Sequence, residues 1–159
     1  MRTTIDPTTV SEFLAQRRIA VVGASDRKGN FGRAVYVGLK AHGHDVVAVH
    51  PTATVDGDPA HPDLASVPGG VDAVVVMVHR DLAADVVGEC IDLGIQHVWL
   101  FRGGGGASAV SEEAQTVCDE YNLDVVAGAC PLMFLEPVGL IHRIHRGFRH
   151  VNGSLARSA

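Results

Sequence analysis

Cysteine is almost missing from this chain. Cys90, Cys118 and Cys130 are its three, scattered over 159 residues with no C-x-x-C spacing. An odd, dispersed set builds no disulfide framework and fits reduced thiols in a cytoplasmic protein. Aromatic side chains are scarce too, at 5%, whereas valine, alanine and glycine abound and 47% of residues are hydrophobic. That balance suits a parallel sheet filled with β-branched side chains and covered by small-residue helices. Long apolar runs are absent: the longest, Ala73 to Val78, falls far short of the roughly 20 residues that cross a bilayer. Met1 to Asp6 has no apolar h-region, so no signal peptide is expected. Excess positive charge is missing as well. The 13 Lys and Arg against 18 Asp and Glu leave a formal net charge of −5, which argues against a nucleic-acid binder as a whole. With neither an internal repeat nor a long linker, one domain is expected over 1–159, with a core at about 17–128 and a C-terminal extension over 129–159.

What is present is an alternation of strand-like and helix-like segments. Asp6-Pro7 reads as a helix start, with Thr9-x-x-Glu12 as an alternative capping box, and the helix Pro7 to Gln16 turns Val10, Phe13 and Leu14 inward. Strands are expected at Ile19–Gly23, Asp45–His50, Ala73–Val78, Gln96–Phe101 and Asp124–Ala127. Between them lie a helix from Phe31 to His42 closed by Gly43, one capped by Asp81 and closed by Gly94, and one capped by Ser108 and running to Tyr121. Thr52 to Pro62 reads as loop, and Asp63 to Val67 as a short helical turn. This is the pattern of an α/β fold: an open, doubly wound parallel sheet in three layers, α/β/α. Ligands of such sheets sit at the carboxyl ends of the strands, near the switch in strand order. The loops after Val22, Val49, Val78 and Leu100 are thereby singled out.

After the first strand come Gly23, Ala24, Ser25, Arg27, Lys28, Asn30, Phe31 and Gly32. A glycine loop running into a helix start, with two cations, is a site for an anion, most often a phosphate. The dinucleotide fingerprint G-x-G-x-x-G is not matched, because Ser25 and Lys28 stand where glycines are required. After the second strand stand His50, Pro51 and Thr52. The acidic residue that binds an adenosine ribose in nicotinamide-dinucleotide enzymes is missing there, and Pro51 can pack on a base instead. Val78, His79 and Arg80 follow the next strand; Arg80 is a candidate for an anionic group, and His79 lacks a discernible catalytic partner. Arg102 and the glycines from Gly103 to Gly106 form the last rim loop, where a ligand can approach the backbone closely. In the tail, His142 and His145 supply only two metal ligands on one helix face, too few for zinc. Arg143, Arg146, Arg149 and Arg157 read as the solvated basic face of a helix that packs Leu140, Ile141 and Ile144 inward, with a patch for an acidic protein partner as the functional alternative.

The segments VVGASDRKGNFGRAV, VVAVHP, VDAVVVMVHR, VWLFRGG and VVAGACPLMF, in this order and spacing, resemble the small CoA-binding proteins, in which a Rossmann-like domain stands alone. More loosely, they are similar to the CoA-binding domain of acyl-CoA synthetases of the succinyl-CoA synthetase type. The resemblance spans Ile19 to about Phe148. It implies CoA or an acyl-CoA as ligand, with the diphosphate at Gly23 to Ser25 and the adenosine towards His50 to Thr52. The loops Val78 to Arg80 and Phe101 to Gly103 would flank the rest. The family often has Asn where His50 stands, and Gln or Glu where Phe101-Arg102 stands. At this length the chain has no room for the synthetases' other domains, so binding without catalysis is expected. Two alternatives stay open: an NAD(P)-binding oxidoreductase-like domain, and an interaction or sensor protein that uses its basic tail. A homodimer is a further expectation for its partners.

Overall fold

A computed structural model describes residues 5–103 and 106–135. The sheet comprises β1 (Arg18–Val22), β2 (Asp45–Val49), β5 (Ala73–Val76), β6 (His97–Phe101) and β7 (Asp124–Ala129), all parallel in the order β2-β1-β5-β6-β7. A separate antiparallel hairpin, β3 (Thr54–Val55) with β4 (Asp58–Pro59), lies between β2 and β5. The helices are α1 (Pro7–Leu14), α2 (Phe31–Ala41), α3 (Arg80–Asp92) and α4 (Glu112–Glu120), and a 3-10 turn spans Pro131–Phe134. The α/β expectation is met, with a five-stranded parallel sheet flanked by helices.

Central strands buried on both faces need apolar side chains at every position, which is why β5 reads Ala-Val-Val-Val without alternation. Successive residues nevertheless feed two different cores. Val22, Val74, Val76, Val98 and Leu100 join Val86, Val87 and Cys90 of α3 and Cys118 of α4. On the other face, Ile19, Val21, Val75 and Trp99 pack with Phe13 of α1 and Leu39 of α2. Trp99 is fully buried, edge-on to Phe13 and Phe134, and its indole N–H donates to the Ala129 carbonyl at 2.9 Å.

The chain runs outward from β1 to β2, then returns to β5 on the other side of β1. The switch in strand order therefore falls between β1 and β5. Here the Gly23 N–H donates to Val49 O (2.9 Å) and the Met77 N–H to Val22 O (2.8 Å), so the loops after three strands converge.

Several local expectations need correction. The cap of α3 is His79, whose ring nitrogen accepts from the Asp81 N–H, and Asp81 sits inside the first turn. The cap of α4 is Ser111, while Ser108 accepts from the Val110 N–H one turn earlier. The segment expected as loop over 52–62 contains the β3–β4 hairpin, built on an Asp56-Gly57 turn with φ of 51° and 80°. The last strand extends to Ala129, and the chain beyond it packs Leu132 against the α2 core, so the core passes the expected limit at 128. The basic tail, with His142 and His145, and Gly104-Gly105 lie outside the described residues. Among the described residues no helix is long and apolar enough to cross a membrane.

Candidate functional site

Gly23 opens the loop at the switch with φ +101°. A Cβ there would lie 2.7 Å from the Met77 carbonyl oxygen, so only glycine lets the two strand ends approach this closely. Asn30 then organises the loop from its far end. Its Oδ1 accepts from the Arg33 N–H (3.2 Å), capping α2, and from the Ser25 N–H (3.3 Å). Its Nδ2 donates to Gly23 O at 3.1 Å. One amide side chain thus ties helix start, loop middle and strand end together. Gly32 brings the first turn of α2 against the loop, since a Cβ on it would sit 2.7 Å from the Ala24 Cα. The N–H groups of Phe31 and Gly32, in that first turn, have no acceptor within the helix. Arg27 and Lys28 are exposed and carry no ion pair among the described residues. Helix N–H groups without an intrahelical acceptor beside two unpaired cations are the features that favour an anion.

Beside this loop lies a cleft of about 680 Å³. Of the residues singled out in the sequence, Gly23, Arg27, His50, Pro51, Thr52, Val78 and His79 line it together. Ala24, Ser25 and Gly32 are buried behind it, while Asn30 holds the loop and Lys28 projects outward from it. Ser25 is the buried polar residue of the described core, at 4% exposure, and its hydroxyl accepts from the Arg27 N–H at 3.4 Å, so it serves the loop's own shape. Arg80 is the exposed first residue of α3. Phe31, Arg102 and Gly103 are not brought into the cleft lining. Phe31 lies over the Phe101 ring with centroids 6.2 Å apart, Arg102 bridges to Ser108, and Gly103 rests against the Phe101 ring.

The opposite wall was not anticipated. Leu82, Asp85, Val86 and Glu89 of α3 line it, with Pro62 and Asp63 from the preceding loop. Their i, i+3, i+4, i+7 spacing places them on one helix face, a signal present in the sequence. The lining is thus mixed in character: the cation Arg27, the carboxylates of Asp63, Asp85 and Glu89, and the apolar Val22, Val49, Val78 and Leu82. Glu89 also accepts from the Leu64 N–H at 3.4 Å, which fixes the loop that carries Asp63. His50 and His79 each use Nδ1 to accept from a backbone N–H two residues on, at 3.2 and 3.3 Å. Their Nδ1 lone pairs are thus occupied in shaping turns. Among the described residues no three His, Cys, Asp or Glu side chains are grouped to hold a metal. The arrangement offers a ligand positive charge at the loop, apolar wall surface and carboxylate acceptors.

Residues 17–136 match the family described as CoA binding domain. Among curated proteins, the chain is similar to an ADP-forming 4-hydroxybutyrate–CoA ligase of Nitrosopumilus maritimus, 30% identical over 77% of this chain and 18% of the ligase. It is also similar to the alpha subunit of an ADP-forming acetate–CoA ligase II of Pyrococcus furiosus, 26% identical over 74% of this chain and 27% of the subunit. The chain thus spans less than a third of the length of these relatives. Among solved structures, a hypothetical protein from Pyrococcus horikoshii superposes with TM-score 0.73 at 27% identity, covering 83% of this chain and 91% of that one. The apo dinucleotide-forming acetyl-coenzyme A synthetase 1 of Ca. Korarchaeum cryptofilum superposes with TM-score 0.58 at 28% identity, over 69% of this chain and 25% of the synthetase.

Proposed function

The chain belongs to the CoA binding domain family, and from that premise we propose that it binds CoA or an acyl-CoA in the cleft at the β1–β5 switch, as a cytoplasmic protein with no chemistry of its own. One observation carries the reading: the glycine loop, with the unpaired Arg27, opens onto a cleft at the switch point. The diphosphate is assigned to the Gly23–Gly32 loop and the N–H groups that start α2, where backbone donors and positive charge coincide. The adenosine is assigned to the wall formed by His50, Pro51 and Thr52, with the carboxylates of Asp63, Asp85 and Glu89 available to accept from the base amine. Arg102 and Gly103 stand apart from the cleft and are left to the far end of the extended ligand.

Titration calorimetry with CoA, NAD and NADP tests the reading. CoA is expected to bind most tightly; tighter NAD binding overturns the assignment. The NAD reading has one observation in its favour, because Asp63 lines the same cleft where a ribose-binding carboxylate was missing after β2. Dephospho-CoA sharpens the test. A charge-assisted contact from Arg27, Lys28 or Arg80 to the 3′-phosphate contributes about 1.5–3 kcal/mol when shielded and less when exposed. Dephospho-CoA is therefore expected to bind at least about fivefold more weakly at low salt. Equal affinities would show that the site reads only diphosphate and base.

A further inference from the structure

Three cations surround the glycine loop, and they are not equivalent. Arg27 and Lys28 have no ion pair among the described residues, whereas Arg33 is committed. Its Nε lies 3.1 Å from Asp26 Oδ1 and its Nη2 lies 3.0 Å from Asp56 Oδ1. Asp26 is itself bonded to the β3–β4 hairpin three times. Its N–H donates to Thr54 O (3.0 Å), its Oδ1 accepts from the Asp56 N–H (2.8 Å), and its Oδ2 accepts from the Thr54 hydroxyl (3.3 Å). Asp26 belongs to the loop, Asp56 to the hairpin turn and Arg33 to the first turn of α2, so one guanidinium joins all three elements.

The three side chains are 48%, 39% and 40% exposed. Ion pairs that exposed contribute little to global stability. Their consequence is local. A carboxylate inside a loop that receives a phosphate repels it, unless a cation cancels the charge. We propose that Arg33 is a positioning residue for the anion site: it cancels the Asp26 charge and fixes the loop to the hairpin, and leaves contact with the phosphate to Arg27 and Lys28. The inference rests on the CoA reading for its ligand, but not for its geometry.

The experiment measures CoA affinity and thermal unfolding for the full chain, Arg33→Gln, Asp26→Asn and the double variant. Arg33→Gln leaves Asp26 uncompensated and is expected to weaken CoA binding about tenfold at low salt. The double variant restores the net charge and is expected to return to within about threefold of the unmodified chain. Melting temperatures should stay within about 3 °C throughout. A double variant no better than Arg33→Gln overturns the proposal, since the Asp26 charge would then not be what Arg33 offsets. A loss of melting temperature parallel to the loss of affinity overturns it as well, by making the pair merely structural. Amide hydrogen exchange without ligand gives an independent reading. Arg33→Gln should speed exchange at Ser25 to Asn30 while β1 stays protected, and unchanged loop exchange refutes the positioning role. Failure of the unmodified chain to bind CoA removes the proposed function instead, and the exchange result still decides the clasp.

Discussion

At Gly23 two demands meet in one residue. The backbone adopts φ +101°, and the space where a Cβ would sit is filled by the Met77 carbonyl, part of a neighbouring main chain that cannot swing away. A side chain here would obstruct the chain end of β5 before it met any ligand. Gly23→Val is therefore expected to lose about 1–3 kcal/mol from backbone strain alone, before the clash is counted, and urea denaturation should register it along with lost CoA binding. Asn30 separates the two properties instead. Asn30→Asp keeps an acceptor for the Arg33 N–H, so the cap survives. It loses the donor to Gly23 O and sets a negative charge beside the anion site. The expected outcome is near-normal urea stability with CoA affinity reduced at least about tenfold. Asn30→Ala, in contrast, should cost about 1 kcal/mol of stability through the lost cap. An Asn30→Asp protein that binds CoA normally would place the phosphate away from this loop.

Elements differed in how clearly their residues announced them. β1, β5 and β6 were legible because burial on both faces demands unbroken apolar runs. The caps of α3 and α4 were misplaced because a polar residue of the usual type stood close by: Asp81 two residues after His79, and Ser108 three before Ser111. The β3–β4 hairpin was missed since two-residue strands are too short for alternation to register, although the Asp56-Gly57 turn was in plain view. Side-chain pairs hold that hairpin on α2. Lys40 and the Tyr36 hydroxyl meet Asp58, each at 2.7 Å, and Arg33 meets Asp56. The Lys40 and Tyr36 hydrogen bonds hold the Asp58 carboxyl below its ordinary 3.8, and the Asp56 N–H, then Arg33, do the same for Asp26. Carboxylates depressed in the fold stabilise it above their unfolded value, and that contribution is lost as pH falls through the folded one. The hairpin should thus stay docked at pH 5 and loosen below 3.8. Amide exchange at Val55 and Gly57 measures this, and exchange that is independent of pH, after correction for the intrinsic rate, contradicts it.

Over the described residues, two cores on opposite sheet faces share the strands, an arrangement that favours cooperative unfolding. Cys90 and Cys118 sit in the α3–α4 core, where burial pushes both thiols up to about 12. At pH 8 they should resist iodoacetamide until the fold opens, while the half-buried Cys130 reacts first. Mass spectrometry of the alkylated protein checks the order, and early labelling of Cys90 contradicts the packing. At this scale the sequence told most about the fold and about half of the lining of the candidate cleft. The loop wall was readable because glycines and cations lie within ten residues of one another. The α3 wall was not, because Leu82, Asp85, Val86 and Glu89 look like any amphipathic helix until the topology turns that face towards β1. Trp99 has a practical consequence of its own. It is the chain's single tryptophan, sealed under α1 and the Pro131–Phe134 turn, on the face of the sheet turned away from the cleft lining. Its fluorescence is a built-in optical gauge of that face: blue-shifted emission while the layers are closed, and red-shifted once water enters.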